Sequence, residues 1–277
     1  MDTPMSSPNS TPDGTPPPTF PHAATHAATR VAGAGVSGAE RRARVDLAAA
    51  YRLVAERGWG DLIYTHISLA VPDEPGRFLI NPFGLTFDEV TASSLVKIGI
   101  DGAIVGDSPY EVNVTGFAIH AAVHAARPDA RCVMHLHNEA AVAVSMLEGG
   151  LRPLSQHALR FWGDLGYHRY EGLALDRDEQ RRLVAALGPR RAMLLHNHGS
   201  LVAGRTVAEA FVLMDMLDKA CRMQLLAQAT GAPLVVPPPE VCEKTFRQLT
   251  SDPEPEGEAE WPALLRRLDR LCPDYKT

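Results

Sequence analysis

Apolar positions along the chain recur with a helical period in several segments. Between residues 39 and 57, Leu47, Tyr51 and Val54 fall on one face, which predicts a helix that stops at Gly58. The same reasoning predicts five further helices, over residues 116–126, 139–147, 178–187, 207–230 and 261–271. These segments are the framework to which the rest of the chain must connect.

Short apolar runs between the helical segments predict β-strands. They cover residues 63–71, 77–80, 98–100, 133–137, 167–174, 192–195 and 201–203. Turn-forming pairs such as Asp101-Gly102 separate neighbouring runs. Because strands and helices alternate over about 190 residues, the sequence favours one α/β domain.

Histidines form two small clusters at the ends of predicted strands. In the apolar run 133–137, residues i and i+2 face the same side, so His135 and His137 can project into one pocket. The second cluster follows the run 192–195 and adds His198. Three neutral imidazoles with open coordination positions would form a site for zinc, iron or a similar divalent metal. Isolated histidines are often structural, so the spacing alone leaves both interpretations open.

Composition limits the function classes. The chain has 277 residues, of which 45% are hydrophobic and 22% charged, with a net charge of −6. This balance fits one globular domain with tails and does not favour nucleic acid or a membrane surface as partner. No stretch approaches the roughly 20 apolar residues of a membrane span. Four scattered cysteines and the lack of a signal-peptide pattern predict a cytoplasmic protein.

Three regions differ in composition. Residues 1–38 are rich in proline and small polar residues, which predicts a disordered tail. Residues 39–232 hold the predicted elements and the histidine clusters, so they form the predicted metal-binding domain. Residues 233–277 form a proline-rich and acidic extension with one short helix.

Several ordered motifs resemble the class II aldolase/adducin family. They are the glycine-led segment 58–68, the segments 81–85 and 90–96, the segment 116–130 before the first histidine strand, and Asn197-His198-Gly199. The resemblance runs from about residue 40 to residue 230. It implies a three-layer α/β/α sandwich with a mainly antiparallel central sheet. It also implies a homo-oligomer, with a tetramer favoured, and a metal held by His135, His137 and His198.

Two positions depart from the sugar-phosphate aldolases of this family. Gly116 stands where those enzymes carry a glutamate that acts as acid and base, and Phe83 lies in the loop that would bind phosphate. The resemblance therefore implies a pocket for an apolar or aromatic substrate without a phosphate subsite. Other candidates for substrate contact are His66, Glu139, Tyr167 and Tyr170. The sequence does not assign the acid/base residue.

Loss of the carboxylate leaves three open positions, which suits Fe(II) with a chelating 2-oxo acid and O2. Within the family, the chain most resembles the non-heme iron oxygenases of aminocoumarin (clorobiocin and novobiocin type) antibiotic biosynthesis. This implies oxidative decarboxylation of a prenylated 4-hydroxyphenylpyruvate, through a 4-hydroxymandelate, to a 4-hydroxybenzoate. The alternative is a metal-dependent aldolase or non-oxidative decarboxylase, with zinc or manganese in place of iron. A non-catalytic adducin-like binding module is a third interpretation, which the three histidines disfavour.

Overall fold

One mixed β-sheet organises the fold. The computed structural model describes residues 30, 31, 33, 35–172 and 177–277, and within them nine strands pair into a single sheet. In chain order, these strands are β1 (Arg30–Val31), β2 (His66–Ala70), β3 (Arg77–Ile80), β4 (Val96–Gly99), β5 (Ile104–Val105), β6 (Cys132–Leu136), β7 (Leu165–His168), β8 (Ala192–Leu195) and β9 (Gly199–Gly204). The predicted tail at residues 1–38 lies almost entirely outside the described residues.

The sheet is mainly antiparallel, as the family resemblance implies. Its strand order is β1-β5-β4-β3-β2-β6-β9-β8-β7. The outer pairs β1·β5 and β7·β8 are parallel, and the pairs between them are antiparallel. Strand β6 therefore has β2 on one side and β9 on the other. Three segments that are far apart in the sequence thus lie side by side.

Helices cover both faces of the sheet. They are α1 (Gly38–Glu56), α2 (Val114–Ala126), α3 (Glu139–Ser145), α4 (Gln156–Leu159), α5 (Arg177–Leu187), α6 (Val207–Ala229), α7 (Pro239–Thr250) and α8 (Trp261–Leu271), followed by a 3-10 helix (Pro273–Lys276). The six predicted helices all occur, with ends that differ by two residues or fewer, and α4 and α7 are additional. Among the described residues, no helix combines the length and the apolar composition that crossing a membrane requires.

Alternation along β6 shows the three layers. Cys132, Met134 and Leu136 pack into the core that includes α1, α3 and α6, whereas Val133 packs into the core formed with α2 and α5. All five residues of β6 are buried, and His135 is the one polar residue among them, which is typical of a strand covered on both faces. The predicted α/β/α sandwich is confirmed.

The two long helices begin at side-chain N-caps. Ser37 Oγ accepts a hydrogen bond of 3.1 Å from the backbone N–H of Glu40 at the start of α1. Thr206 Oγ1 accepts one of 3.0 Å from the N–H of Glu209 at the start of α6. Both helices carry the Ser/Thr-x-x-Glu pattern that satisfies unpaired N–H groups at a helix N-terminus.

Two predicted strands have limits that differ from the observed ones by three residues or more at one end. The strand predicted at 63–71 begins only at His66, because Leu62 and Thr65 adopt left-handed φ angles of 52° and 65° and turn the chain before it. The strand predicted at 167–174 is β7, which starts at residue 165 and ends at His168. Its partner β8 ends opposite His168 at Leu195, so pairing cannot continue. Residues 173 and 174 of that prediction lie outside the described residues.

The chain after residue 232 shares the core of the domain. Trp261 and Leu268 of α8, together with Tyr275, are buried in the same apolar cluster as α1. The Trp261 Nε1–H group donates to Asp46 over 3.1 Å. The guanidinium of Arg52 pairs with the Asp274 carboxylate over 2.7 Å. These contacts fix α8 and the 3-10 helix against α1.

Candidate metal centre

Three histidines meet at one end of β6. His135 lies in β6, His137 follows its last residue, and His198 lies in the turn between β8 and β9. Their ligand nitrogens all lie within 4.8 Å of one another. The ring centroids are 4.8–5.1 Å apart. The structure thus brings together the three histidines that the sequence analysis assigned to a metal.

The turn from β8 to β9 selects His198 over its neighbour His196. Asn197 adopts a left-handed φ of 58°, and the N–H of His198 donates to the Leu195 carbonyl over 3.1 Å. His196 Nδ1 lies 2.6 Å from the Ser145 carbonyl oxygen in α3. The ring of His196 is therefore engaged with α3, and His198 is the member of this cluster that joins the triad.

Gly199 is required by close approach. A Cβ atom at this position would lie 2.5 Å from the Leu136 carbonyl oxygen and 3.0 Å from Cδ2 of His137. It would also lie 3.2 Å from Cε1 of His135. Any side chain would push β9 away from β6 and separate the histidines. The absence of a side chain at position 199 therefore allows the three histidines to lie close together.

Hydrogen bonds orient two of the three rings. His135 Nδ1 donates to the Ser200 carbonyl oxygen over 3.0 Å, and His137 Nδ1 lies 2.8 Å from Oδ2 of Asp61. With the proton on Nδ1 in each ring, Nε2 carries the lone pair that binds a metal. Nε2 of His137 is buried and has no hydrogen-bond partner among the described residues. This orphaned atom and the all-imidazole donor set fit a divalent metal ion.

Two histidines of the triad, His135 and His198, are held in the neutral state that metal binding needs. Burial, and then the neighbouring His198, lower the pKa of His135 well below its usual value. Burial lowers the pKa of His198 to about 4, with a smaller contribution from His137. At neutral pH, both rings therefore keep a lone pair available for a cation.

His66 and Gly116, two of the predicted pocket residues, are in contact. A Cβ atom on Gly116 would overlap the His66 ring. His66 is 4% exposed, and neither of its ring nitrogens has a hydrogen-bond partner among the described residues. Burial, and then His137, lower the pKa of His66 to about 3. A neutral imidazole thus occupies the place where a side chain at position 116 would lie.

A buried polar row continues from His66 into α2. The rings of His66 and His120 meet edge to face, with centroids 5.9 Å apart. Ser68 Oγ lies 2.6 Å from Nδ1 of His120 and 2.7 Å from Nε2 of His124. Burial lowers the pKa of both α2 histidines, that of His124 to about 4. The row links β2 to α2 without placing a charge in the interior.

The remaining predicted pocket residues are Phe83, Glu139 and Tyr167. Phe83 is half-buried in the loop after β3, and Glu139 is exposed in the first turn of α3. Tyr167 accepts a hydrogen bond of 3.0 Å from the N–H of Leu151, and its ring stacks on His196 at 5.5 Å. For these three residues, a role in substrate binding stays a prediction.

A small cavity adjoins His198 between α2, α5 and the ends of β7 and β8. The apolar part of its lining consists of Ile119, Leu183 and Leu195. The remaining lining residues are His168, Arg169, Tyr170, Gly172, Glu179, His196 and His198. His168, Glu179 and Asp61 were not predicted from the sequence as residues of the site. For Glu179 there was a signal, because this acidic residue lies one helical turn before Leu183 on the buried face of α5.

Relatives of known family share this architecture. The family model described as the Class II Aldolase and Adducin N-terminal domain matches residues 45–225. A Caulobacter vibrioides protein whose name places it in aldolase class 2 is 48% identical over 241 residues, covering 87% of this chain and 94% of that protein. Alpha-adducin of Mus musculus is 42% identical over 253 residues, covering 86% of this chain and 34% of adducin. The chain belongs to the class II aldolase and adducin family.

Solved structures confirm the fold. An aldolase II superfamily protein from Pseudomonas syringae superposes with a TM-score of 0.84 at 47% identity, covering 87% of this chain and 98% of that one. An L-fuculose 1-phosphate aldolase from Glaciozyma antarctica PI12 gives a TM-score of 0.78 at 28% identity, covering 95% and 97%. The arrangement of sheet and helices described above is therefore that of class II aldolases.

Proposed function

We propose that this protein is a metal-dependent lyase that forms or breaks a carbon–carbon bond next to a carbonyl group. The observation that carries the proposal is the oriented triad of His135, His137 and His198, whose ligand nitrogens lie within 4.8 Å of one another. Family membership and the similarity to an L-fuculose 1-phosphate aldolase support this chemistry over the iron oxygenase predicted from the sequence.

Zinc is the expected metal, with manganese and iron as alternatives, because three imidazoles and an open position are typical of catalytic zinc sites. A bound ion would supply Lewis-acid polarisation of a substrate oxygen. The residues of the chain do the rest. The Ser200 carbonyl and Asp61 orient the rings of His135 and His137, and the buried ring of His66 fills the space beside Gly116.

An Fe(II) oxygenase is the second candidate. Among the described residues, the cluster of possible ligands contains histidines and no carboxylate, which leaves positions for a chelating 2-oxo acid and O2. The enclosed space beside His198 has room for little more than one water-sized group. A prenylated 4-hydroxyphenylpyruvate would therefore have to lie almost entirely outside it.

We expect a homo-oligomer, with a tetramer favoured. Leu62 is 73% exposed and Tyr64 is 46% exposed, and both lie on the loop that carries Asp61. Apolar side chains exposed next to a site commonly mark an interface. Light scattering on the purified protein measures the subunit number, and a monomer at micromolar concentration would contradict this expectation.

The test compares metals and reactions in one protein. The protein is loaded anaerobically with zinc, manganese or iron, and retro-aldol cleavage of a 4-hydroxy-2-oxo acid is followed by release of pyruvate and aldehyde. We expect cleavage that does not need O2. Oxygen uptake with 4-hydroxyphenylpyruvate and iron, without aldehyde release, would identify the oxygenase instead. A protein that binds no metal and shows neither reaction would be an adducin-like binding module.

A further inference from the structure

The cavity beside His198 contains two buried polar side chains that face each other without a hydrogen bond. Nε2 of His168 and Oε1 of Glu179 are 3.9 Å apart, longer than a hydrogen bond. His168 is 6% exposed and Glu179 is 6% exposed. Nε2 of His168 is buried and has no hydrogen-bond partner among the described residues.

The fold holds both groups at the cavity wall. His168 is the last residue of β7 and is paired in register with Leu195 of β8. Glu179 lies in the first turn of α5, where the helix dipole stabilises a negative charge. One helical turn later, Leu183 anchors the same face of α5 in the core. The separation of the two side chains is thus set by a strand and a helix, not by a loop.

A buried polar atom without a partner is unfavourable, so a group that satisfies both side chains would be bound selectively. A hydroxyl group can donate to the Glu179 carboxylate and, at the same time, accept a hydrogen bond from Nε2–H of His168. A carboxylate or phosphate on the ligand would be repelled by Glu179. A methyl group would leave Nε2 of His168 without a partner.

His168 and Glu179 line the same cavity as His198, a member of the metal-binding triad. His198 lines the cavity and also belongs to the triad, and the ring of Tyr170 lies 6.2 Å from the ring of His198. The floor of the cavity is apolar, with Ile119, Leu183 and Leu195. A ligand bound at the triad could therefore extend one hydroxyl group into the cavity, where it would meet His168 and Glu179.

We propose that the cavity is a substrate subsite that recognises a hydroxyl group through Glu179 and His168. This proposal rests on the proposed function, because it describes the distal end of the same substrate. The enclosed space has room for little more than one water-sized group, so the subsite takes the hydroxyl itself. Two sources provide the hydroxyl: an aliphatic hydroxy acid or a phenol.

Binding of matched ligand pairs tests the subsite. Calorimetry on zinc-loaded protein compares 2,4-dihydroxybutyrate with 2-hydroxybutyrate, and 4-hydroxyphenylpyruvate with phenylpyruvate. Within each pair, the ligands differ by one hydroxyl. We expect at least one hydroxylated ligand to bind about 10-fold or more tightly than its partner, since a site built for a hydroxyl rejects the analogue that lacks it. The pair that shows the difference identifies the source.

Variants assign the discrimination to the two residues. Glu179→Leu and Glu179→Gln should reduce the difference within the pair to less than about 2-fold, and His168→Phe should do the same. Asp178→Asn is the matched control, because it removes a charge from the same turn of α5 outside the cavity lining. It should keep the wild-type difference. Circular dichroism and metal content show that each variant remains folded and loaded.

Two outcomes would overturn the proposal. One is a wild-type protein that binds both members of each pair equally or binds none of these ligands. The other is a discrimination that persists in all three cavity variants. The proposed function fails separately, if the wild-type protein holds no metal, and the same calorimetry on metal-free protein then still measures the subsite.

Discussion

The His66 ring occupies the space that a side chain on Gly116 would need. A Cβ atom added to Gly116 would overlap Cε1, Nδ1 and Nε2 of His66. These residues come from β2 and α2, which are joined by about 50 residues of chain. Glycine at 116 and histidine at 66 are thus one structural unit, because the buried neutral imidazole leaves no room for a larger residue at 116.

Gly116→Ala should destabilise the protein by about 1–3 kcal/mol, because the buried His66 ring cannot move without repacking α2. Urea unfolding measures this change. Gly149→Ala is the matched control, since a Cβ atom there meets nothing within 4 Å. In a His66→Ala background, Gly116→Ala should cost less, by a coupling energy of about 1 kcal/mol or more. Equal costs in both backgrounds would show that the two residues are independent.

Asp61→Asn should weaken metal binding by about 10- to 100-fold, because the carboxylate that orients His137 would be replaced by a weaker acceptor. The hydrogen bond concerned is 2.8 Å long and joins Nδ1 of His137 to Oδ2 of Asp61. Competition with a zinc chelator gives the affinity. Asp88→Asn removes a charge from an exposed position on another loop and should leave the affinity unchanged. Equal affinities of both variants would remove Asp61 from the site.

His124 should make the protein sensitive to mild acid. Its pKa in the folded protein is about 4, from a usual value of 6.5, because the ring is buried. Between those values, the unfolded chain binds a proton that the folded protein does not, so stability is lost as the pH falls from 6.5 toward 4. This group accounts for a loss of about 3 kcal/mol. His124→Gln should make the plot of unfolding free energy against pH less steep over that interval, and parallel plots would contradict this origin.

Sugar phosphates should neither bind nor react. Phe83 is half-buried in the loop that would hold the phosphate, and Gly116 lacks the carboxylate of the sugar-phosphate aldolases. The cavity beside His198 contains the Glu179 carboxylate, which repels a phosphate. Incubation with L-fuculose 1-phosphate and an assay for aldehyde should give no signal above that of metal-free protein. A measurable retro-aldol rate would establish a phosphate subsite.

The sequence predicted the helices and an α/β domain for clear physical reasons, whereas the three-layer antiparallel arrangement was implied by the family resemblance. Helical periodicity marked six helices, and alternation in a buried strand placed His135 and His137 on one side of β6. The prediction that His198 lies beside His135 and His137 needed the family resemblance, because spacing along the chain does not show which strands become neighbours. The pairing of β6 with β9, in the register that opposes His135 and Leu201, creates that contact.

Other parts of the site depend on tertiary contacts that leave little trace in the sequence. Asp61 follows a glycine in an exposed loop, and only the approach of β6 gives its carboxylate a partner in His137. The fit of His66 against Gly116 requires the packing of α2 on β2. Glu179 could be predicted in part, because it is an acidic residue on the buried face of α5. Its neighbour His168 lies in β7, whose limits were predicted wrongly from the apolar run.

The most direct test of the account is the metal content of the purified protein and its histidine variants. Elemental analysis should find a stoichiometric divalent metal ion in the wild-type protein and in His157→Ala, a control outside the triad. His135→Ala, His137→Ala and His198→Ala should each lose most of the metal and the lyase activity while circular dichroism stays that of the wild type, because two imidazoles bind a divalent ion far less well than three. Full metal occupancy in all three variants would contradict the central claim.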